Sequence, residues 1–485
     1  MENNNKVAIT PNVLMIAIPY QGHLNPFLHL AIKLASKGFA IHFVHTLHAH
    51  HVIKSSSENR FDGDDVFSGA RESGLDIRYS TISDGFPIEY DRSEDVVSYW
   101  DHMLKVFPSL VDEFVANLIN TVPPSPWIIV ADTISSWQGL IAEKYNMVNV
   151  SFWTEPAVVF ALDYYVDLLT KNGHFPSSSS SGDRDCVIDY IPGVAPIHKK
   201  DLMSNLQESD STSILNKILL KTFEEVKKAD IVLHNTVEEL ESYTLSTLNE
   251  LWPTYAIGPI NFSPETTKLD ISKSLLPETD CTEWLNSKPP GSVLYVSFGS
   301  LVQIEQKVIQ EVARGLRASK LNFLWALRRD IFEHEINVFP AGFEDDVKDR
   351  GLIITWCDQI AVMSNPAVGG FLTHCGWNSI LESMWFGVPM ICYPVLYDQP
   401  TNRKLVVDDW KIGIDLCQDK AKVEGEEVAW KIKTLMNSET SDGVRNEMKK
   451  LTSVIRSAWG ADGSSTTNFN RFLDDLNDKI QQKYS

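Results

Sequence analysis

Between Val13 and Val44 the chain sets out an order that few folds accommodate: a short apolar run, a loop dense in helix breakers, an amphipathic stretch and a second apolar run. Val13-Leu-Met-Ile-Ala-Ile18 is too short for a helix and reads as a strand, with Pro19-Tyr-Gln-Gly-His-Leu-Asn-Pro26 as the loop beyond it. Asn25 is then the expected cap and Pro26 the first residue of a helix over Phe27–Lys37, whose Leu28, Ala31, Ile32 and Ala35 share a face before Gly38 stops it. Ala40 to Val44 is the next strand. Strand, helix and strand in that order need a crossover, which predicts a parallel sheet with right-handed connections.

The unit recurs. Trp127-Ile-Ile-Val-Ala131 runs into Asp132, a helical stretch starts at Trp137, and the strand Val148–Phe152 ends near Thr154. After the serine run 177–181 come a helical Ser213–Lys228 and a short strand Ile231–His234. From Gly258 to Thr279 the text is rich in Pro, Ser, Thr and Asp with no sustained period, which suits a linker. The pattern then restarts: strand Val293–Phe298, loop Gly299-Ser300, helix Ile304–Ala318, and strands Phe323–Leu327, Leu352–Thr355 and Gly370–Thr373. A helix Ser379–Phe386, a strand Met390–Tyr393 and two amphipathic C-terminal segments, Gly443–Trp459 and Thr467–Lys479, complete it. The expected class is α/β, with two Rossmann-like domains in tandem at 1–257 and 281–460, a linker at 258–280, and a terminal helix within 461–485 leaning back on the first domain. A length of 485 residues fits about two to four domains.

Charge narrows the partners. With 43 Lys and Arg against 64 Asp and Glu the net charge is −21, so the summed field repels phosphate backbones and anionic lipid surfaces and nucleic acid is not an expected partner. An anionic substrate must be held by local devices such as helix N-termini and backbone amides. The six cysteines include no C-x-x-C pair and read as reduced thiols. The start lacks a basic, then apolar, signal pattern, and no stretch approaches the roughly 20 apolar residues of a membrane span. A cytoplasmic, soluble and monomeric protein is the expectation. Neither G-x-G-x-x-G after the first strand nor G-x-x-x-x-G-K-[ST] occurs, so nicotinamide-dependent dehydrogenases and P-loop enzymes lose ground. Asp62-Gly63-Asp64 has the letters of a metal site but lies in a polar loop, and no metal is expected.

Ligands of open parallel sheets sit beyond the carboxyl ends of the strands, and His23, Asp132 and Thr154 each follow closely on such an end. An imidazole backed by a carboxylate can remove a proton while the carboxylate steadies the resulting charge. Spacing alone favours the plainer reading, with His23 only a loop residue and Asp132 only a helix cap. The densest chemistry is Thr373-His-Cys-Gly-Trp-Asn-Ser-Ile-Leu-Glu382, where a strand ends by a glycine and a helix starts, so free N–H groups would face an anion. His374 adds a donor, Gly376 permits close approach, and Asn378 and Ser379 offer an amide and a hydroxyl. Ser379-x-x-Glu382 also matches a capping box, which would make Glu382 a helix-end partner instead of a ligand to a sugar hydroxyl.

Trp356-Cys-Asp-Gln359, Pro366 through Ser379, Glu382, Gly387-Val-Pro389, Pro394 and Asp398-Gln399 together resemble the plant secondary-product glycosyltransferase box of UDP-sugar-dependent glycosyltransferases. Gly22-His23-x-Asn25-Pro26, Asp132 and, more weakly, Ser83-Asp-Gly-Phe-Pro87 are similar to the same family, so the resemblance covers nearly the whole chain. It implies a GT-B fold, with the acceptor bound mainly by the first domain, the UDP-sugar by the second, and the reaction between them. By position in the box, Trp356 would stack on uracil with Cys357 beside it, Gln359 would lie near ribose and base, and Glu382 would accept from the ribose hydroxyls. His374, Asn378, Ser379 and Ser300 would hold the diphosphate, with Gly376 allowing its approach. Trp377, Asp398, Gln399 and Thr154 would contact the sugar, the glutamine being associated with glucose. His23 would act as the base, Asp132 as its support, and transfer from UDP-glucose would be inverting and metal-free, the acceptor a hydroxyl or carboxyl of a small lipophilic metabolite or hormone. Tyr20, Phe86, Phe152 and Trp153 are candidates to line the acceptor pocket. The alternative is a catalytically inactive binding protein of the same fold, against which His23 and Asp132 both weigh. The chain departs from the usual box at Asn365, where histidine is common, and at Cys357-Asp358, where Ala-Pro is frequent.

Overall fold

The first strand, β1 (Asn12–Ile16), is buried at every position, as its unbroken apolar run requires of a strand covered on both faces. The computed structural model describes residues 10–56, 65–92, 95–176, 184–265, 276–300, 303–328, 338–417 and 422–485. Among these residues, β1 joins β2 (Ala40–Thr46), β3 (Ile77–Ile82), β4 (Trp127–Asp132), β5 (Val148–Trp153), β6 (Ile231–His234) and β7 (Thr254–Ala256) in one sheet. Its order is β3-β2-β1-β4-β5-β6-β7 and every pairing is parallel. A second sheet holds β8 (Val293–Ser297), β9 (Asn322–Ala326), β10 (Gly351–Ile354), β11 (Val368–Thr373), β12 (Met390–Cys392) and β13 (Gly413–Asp415), in the order β10-β9-β8-β11-β12-β13, again all parallel.

Each sheet reverses its direction of winding once, between β1 and β4 in the first and between β8 and β11 in the second. Connections leaving adjacent strands in opposite directions open a crevice at that point, where doubly wound sheets bind ligands. The carboxyl ends of these four strands and the segments leaving them carry His23, Asp132, Gly299-Ser300 and His374–Ser379.

The helix expected over Phe27–Lys37 is instead α1, Gln21–Ala35. Its extended N-cap is Tyr20, not Asn25, and Pro26 lies inside it, so His23 belongs to the first helical turn and not to a loop. Proline deletes the intrahelical bond to residue i−4, which is why it reads as a helix start; here the lost bond is replaced from outside the helix. The helix expected from Ser379 begins at Trp377 as α3 (Trp377–Phe386), with Gly376 as its extended cap. Between them in the chain, α2 (Ala157–Tyr164) follows β5, its Ala157 and Val158 amides donating to the buried Glu241 carboxylate at 3.0 and 2.8 Å. The edge strand β3 escapes sequence reading because only its end residues are buried, so Ile77-Arg-Tyr-Ser-Thr-Ile82 has no apolar run.

The last helix, α4 (Ser464–Tyr484), buries Phe469, Phe472, Leu476 and Ile480 in the core of the first sheet. Lys33 of α1 stands 4.3 Å above the Trp459 ring and 4.6 Å above Phe469, and pairs with Glu265 at 2.6 Å. Among the described residues no helix is long and apolar enough to cross a membrane. All six cysteines are free thiols. Asp62-Gly63-Asp64 and the serine run 177–181 lie outside the described residues.

Candidate active site

His23 enters the crevice from the first turn of α1, and Asp132 is the last residue of β4, the neighbour of β1. Nδ1 of His23 lies 2.7 Å from Asp132 Oδ2 and 3.1 Å from Thr154 Oγ1. The carboxylate holds the proton on Nδ1, so Nε2 keeps a lone pair for a ligand. Asp132 is itself fixed, its Oδ1 accepting the Ile134 amide at 3.0 Å. The His23 side chain is 17% exposed and that of Asp132 1%, so a ligand reaches the imidazole and not the carboxylate. Burial pulls the His23 pKa down, but the charge and hydrogen bond of Asp132, with Asp398 behind, more than offset it and the net shift is upward.

Across the cleft, His374 follows β11 and α3 opens at Trp377. A Cβ at Gly299 or at Gly376 would meet His374 Nε2 at 2.5 Å, so both positions need glycine for the ring to lie where it does. Gly299 also takes φ +78°, in the left-handed region. Burial drives the His374 pKa down to about 4, outweighing a hydrogen bond to the backbone of Ser297 that favours the protonated ring. A neutral imidazole beside the N–H groups of a helix start suits an anionic oxygen. Cys375, at φ +68°, makes the sharp turn between strand and helix; its amide donates to Thr373 Oγ1 at 3.1 Å and its carbonyl accepts from Asn402 Nδ2 at 2.9 Å.

Farther along the same rim, Gln359 Nε2 donates to Glu382 Oε2 at 2.7 Å and to Ser379 Oγ at 3.0 Å, and its Oε1 accepts from Tyr295 OH at 3.2 Å. Glu382 thus faces Gln359, and the capping box with Ser379 is not formed, Gly376 being the cap. Trp356 is half-buried just beyond β10, its carbonyl accepting the Thr279 amide at 2.9 Å. Ser300 is half-buried after β8, and its carbonyl accepts from Arg328. The departures from the usual box have local reasons. Cys357 packs 3.6 Å from Tyr295 OH, Asp358 caps the helix Gln359–Ser364 through the Ala361 amide at 3.0 Å, and Asn365 donates to Asn286 Oδ1 at 2.9 Å.

Four assigned side chains have partners within the protein. The Trp377 indole is buried and donates to the Asn235 carbonyl at 2.8 Å, so its ring is committed within the protein. Asn378 Nδ2 donates to the Gly22 carbonyl at 2.6 Å. Gln399 Oε1 accepts the Val395 and Leu396 amides, both at 2.9 Å, which fixes the orientation of its side-chain amide. Asp398 accepts from Asn402 at 2.5 Å, and burial pushes its carboxyl up to about 6.

Two acceptor candidates are corrected. Phe152 and Trp153 are 0% and 1% exposed, Phe152 packing on Phe27 and Trp153 on Phe160, because β5 is an interior strand covered on both faces. Tyr20 lies against Trp100 with centroids 5.9 Å apart, and Phe86 stacks on Tyr90 at 4.5 Å. Sequence reasoning missed Trp100 and Met103, which line a narrow apolar cavity of about 30 Å³ with Ile16, Pro19, Phe107 and Trp137, just past the end of β1. Their signal was available in the helical spacing of Val96, Tyr99, Trp100 and Met103. It also missed Glu155, next to Thr154, which burial and the carboxylates of Asp398, Asp163 and Asp132 hold toward its protonated form.

Two parallel sheets, with a histidine–carboxylate pair on one rim and a glycine-capped helix start on the other, have the architecture of the GT-B class. Residues 200–454 match the family described as UDP-glucoronosyl and UDP-glucosyl transferase, and residues 9–81 match a glycosyltransferase N-terminal domain. The chain is 50% identical over 479 residues to UDP-glycosyltransferase 86A1 of Arabidopsis thaliana, covering 98% of this chain and 96% of that one. It is 35% identical to a 7-deoxyloganetin glucosyltransferase of Catharanthus roseus, covering 97% of each. Among solved structures, a UDP-glucose: anthocyanidin 3-O-glucosyltransferase in complex with UDP shares the fold with a TM-score of 0.81 at 23% identity, over 96% of this chain and 99% of that one. Medicago truncatula UGT71G1 complexed with UDP-glucose gives 0.78 at 25% identity, over 98% and 100%. The chain belongs to the UDP-glycosyltransferase family and is an enzyme of that class.

Proposed function

We propose that this enzyme transfers glucose from UDP-glucose, with inversion and without a metal ion, to a hydroxyl or carboxyl of a small, largely apolar plant metabolite or hormone. The observation that carries the reading is the His23 imidazole, pinned through Nδ1 to Asp132 with Nε2 left to the cleft. In transfer to a hydroxyl, His23 Nε2 takes the acceptor proton as the acceptor oxygen bonds to the anomeric carbon. The bond from that carbon to the diphosphate breaks, and its electron pair leaves with UDP from the opposite face. Asp132 offsets the imidazolium charge, an arrangement in which general-base catalysis contributes about 10²–10⁴-fold. On the donor side, the N–H groups at the start of α3 and the neutral His374 meet the charge developing on the leaving diphosphate, the role a metal ion plays elsewhere. Retention by double displacement needs a carboxylate nucleophile at the anomeric carbon; the assignment of Asp398 to the sugar hydroxyls leaves none there.

Glucose as the sugar is supported by Gln399 and by relatives named as glucosyltransferases. The apolar side chains past β1, Trp100, Met103 and Phe107 among them, favour a lipophilic acceptor by their chemistry, although the cavity they line, about 30 Å³, is too small to hold one as it stands. The test is UDP release from UDP-glucose with a panel of phenols, terpenoid alcohols and hormone acids, in buffer with and without chelator, followed by proton NMR of the product. Transfer that is insensitive to chelator and yields a β-glucoside is expected. An α-glucoside, strict dependence on a divalent cation, or no transfer to any acceptor overturns the reading.

A further inference from the structure

Pro26 has no N–H, so the carbonyl four residues earlier, Gly22, has no partner within α1. That carbonyl belongs to the residue just before His23, and the Asn378 side chain satisfies it from the opposite half of the molecule, Nδ2 donating at 2.6 Å. The amide end of Asn378 is aimed by Asn235, which sits immediately beyond β6 and is 1% exposed. Asn235 Nδ2 donates to Asn378 Oδ1 at 3.3 Å, which fixes which end of that amide faces Gly22. The rest of Asn235 is committed as well. Its Oδ1 accepts the Ile260 amide at 3.0 Å, its carbonyl accepts the Trp377 indole at 2.8 Å, and its own N–H donates to the Trp153 carbonyl at 2.9 Å.

We propose that Asn235 is a positioning residue for the transfer: it orients Asn378 so that the start of the donor-side helix grips the Gly22 carbonyl, and this sets where His23 stands relative to the sugar. The inference rests on the glycosyl-transfer reading above. Asn235 touches no reacting atom and acts through Asn378 and the first turn of α1. A small misplacement of a base costs rate out of proportion to its size, because the proton must be reached within hydrogen-bond distance.

Asn235→Asp is the sharpest probe. It keeps the shape and the acceptor for Ile260, but turns the donor that faces Asn378 into an acceptor. The Asn378 amide then flips to answer it and presents its oxygen to the Gly22 carbonyl, breaking the grip. Expected is a fall in kcat of about tenfold, with the dissociation constant for UDP, read by calorimetry, and the acceptor KM each moving by less than about threefold. A residue with only a structural role would lower the unfolding temperature or UDP affinity and leave kcat in place, and that result overturns the inference. A second arm guards against misfolding of the first. Pro26→Ala restores an N–H that bonds Gly22 within the helix, so Asn235→Asp made in that background is expected to cost less than about threefold in kcat. Equal cost in both backgrounds overturns the coupling. Failure of the parent reading is distinguishable, since it shows as transfer surviving His23→Ala, whereas failure here shows as unchanged kcat in Asn235→Asp with His23→Ala inactive.

Discussion

At the scale of the residue, one imidazole stands out, its basicity set by burial against a neighbouring carboxylate. Burial depresses the His23 pKa and the charge and hydrogen bond of Asp132 raise it further than burial lowers it, so the group titrates above its ordinary 6.5. The base works only when neutral, so kcat/KM is expected to fall as pH drops through that raised value. Asp132→Asn removes the charge and leaves burial in command, so the acidic limb of the profile is expected to move to lower pH while the plateau falls by at least about tenfold, because the tautomer is no longer enforced. A limb that stays put would detach the histidine from the aspartate. The identities of His23 and Asp132 were readable from their places after predicted strands, but their contact was not: 109 positions separate them, and only the pairing of β1 with β4 brings them to one rim. The burial of Trp153 was hidden for a related reason, since an aromatic on an interior strand looks the same in sequence whether it faces a core or a cleft.

At the scale of the element, the start of α3 is built around close approach. Gly376 has an ordinary φ of −64°, so an alanine there is conformationally free, yet its Cβ would press on His374 Nε2 at 2.5 Å. Gly376→Ala is therefore expected to displace the imidazole and weaken UDP binding by about tenfold, near 1.4 kcal/mol, while leaving thermal stability nearly unchanged; calorimetric titration with UDP checks it. Unaltered UDP affinity would remove His374 from the diphosphate site. Helix α3 was legible because a glycine-punctuated strand end before an apolar periodic stretch is a strong local signal. The start of α1 was not, because Pro26 carries the usual mark of a helix beginning and the compensation for its missing bond comes from Asn378, 356 positions away in sequence. Strand β3 was lost for want of an apolar run, being an edge strand with a half-buried middle.

At the scale of the whole molecule, the two halves are joined by specific bonds beside the site. Ser204 and Tyr397 exchange two hydrogen bonds at 2.9 and 2.8 Å, Thr401 donates to the Asp201 carbonyl at 2.7 Å, and Arg403 pairs with Asp201. The chain's end returns to the first sheet through α4. Phe472, fully buried there, is expected to cost about 3–5 kcal/mol when cut to alanine, seen as a loss of the unfolding midpoint in denaturant, and a change below about 1 kcal/mol would mean that α4 is not part of that core. The parallel-sheet architecture was legible in its interior strands, whose repeated apolar runs alternate with amphipathic stretches, but the edge strands β3, β7 and β13 were not. The bonds across the cleft were not, because they depend on how the sheets face one another. The most direct check of the whole is His23→Ala, assayed for glucosyl transfer and, in the same preparation, for UDP affinity. Transfer falling by about 10²–10⁴-fold with UDP bound within about threefold of the unaltered enzyme is the predicted result, and turnover that survives the substitution would contradict the account.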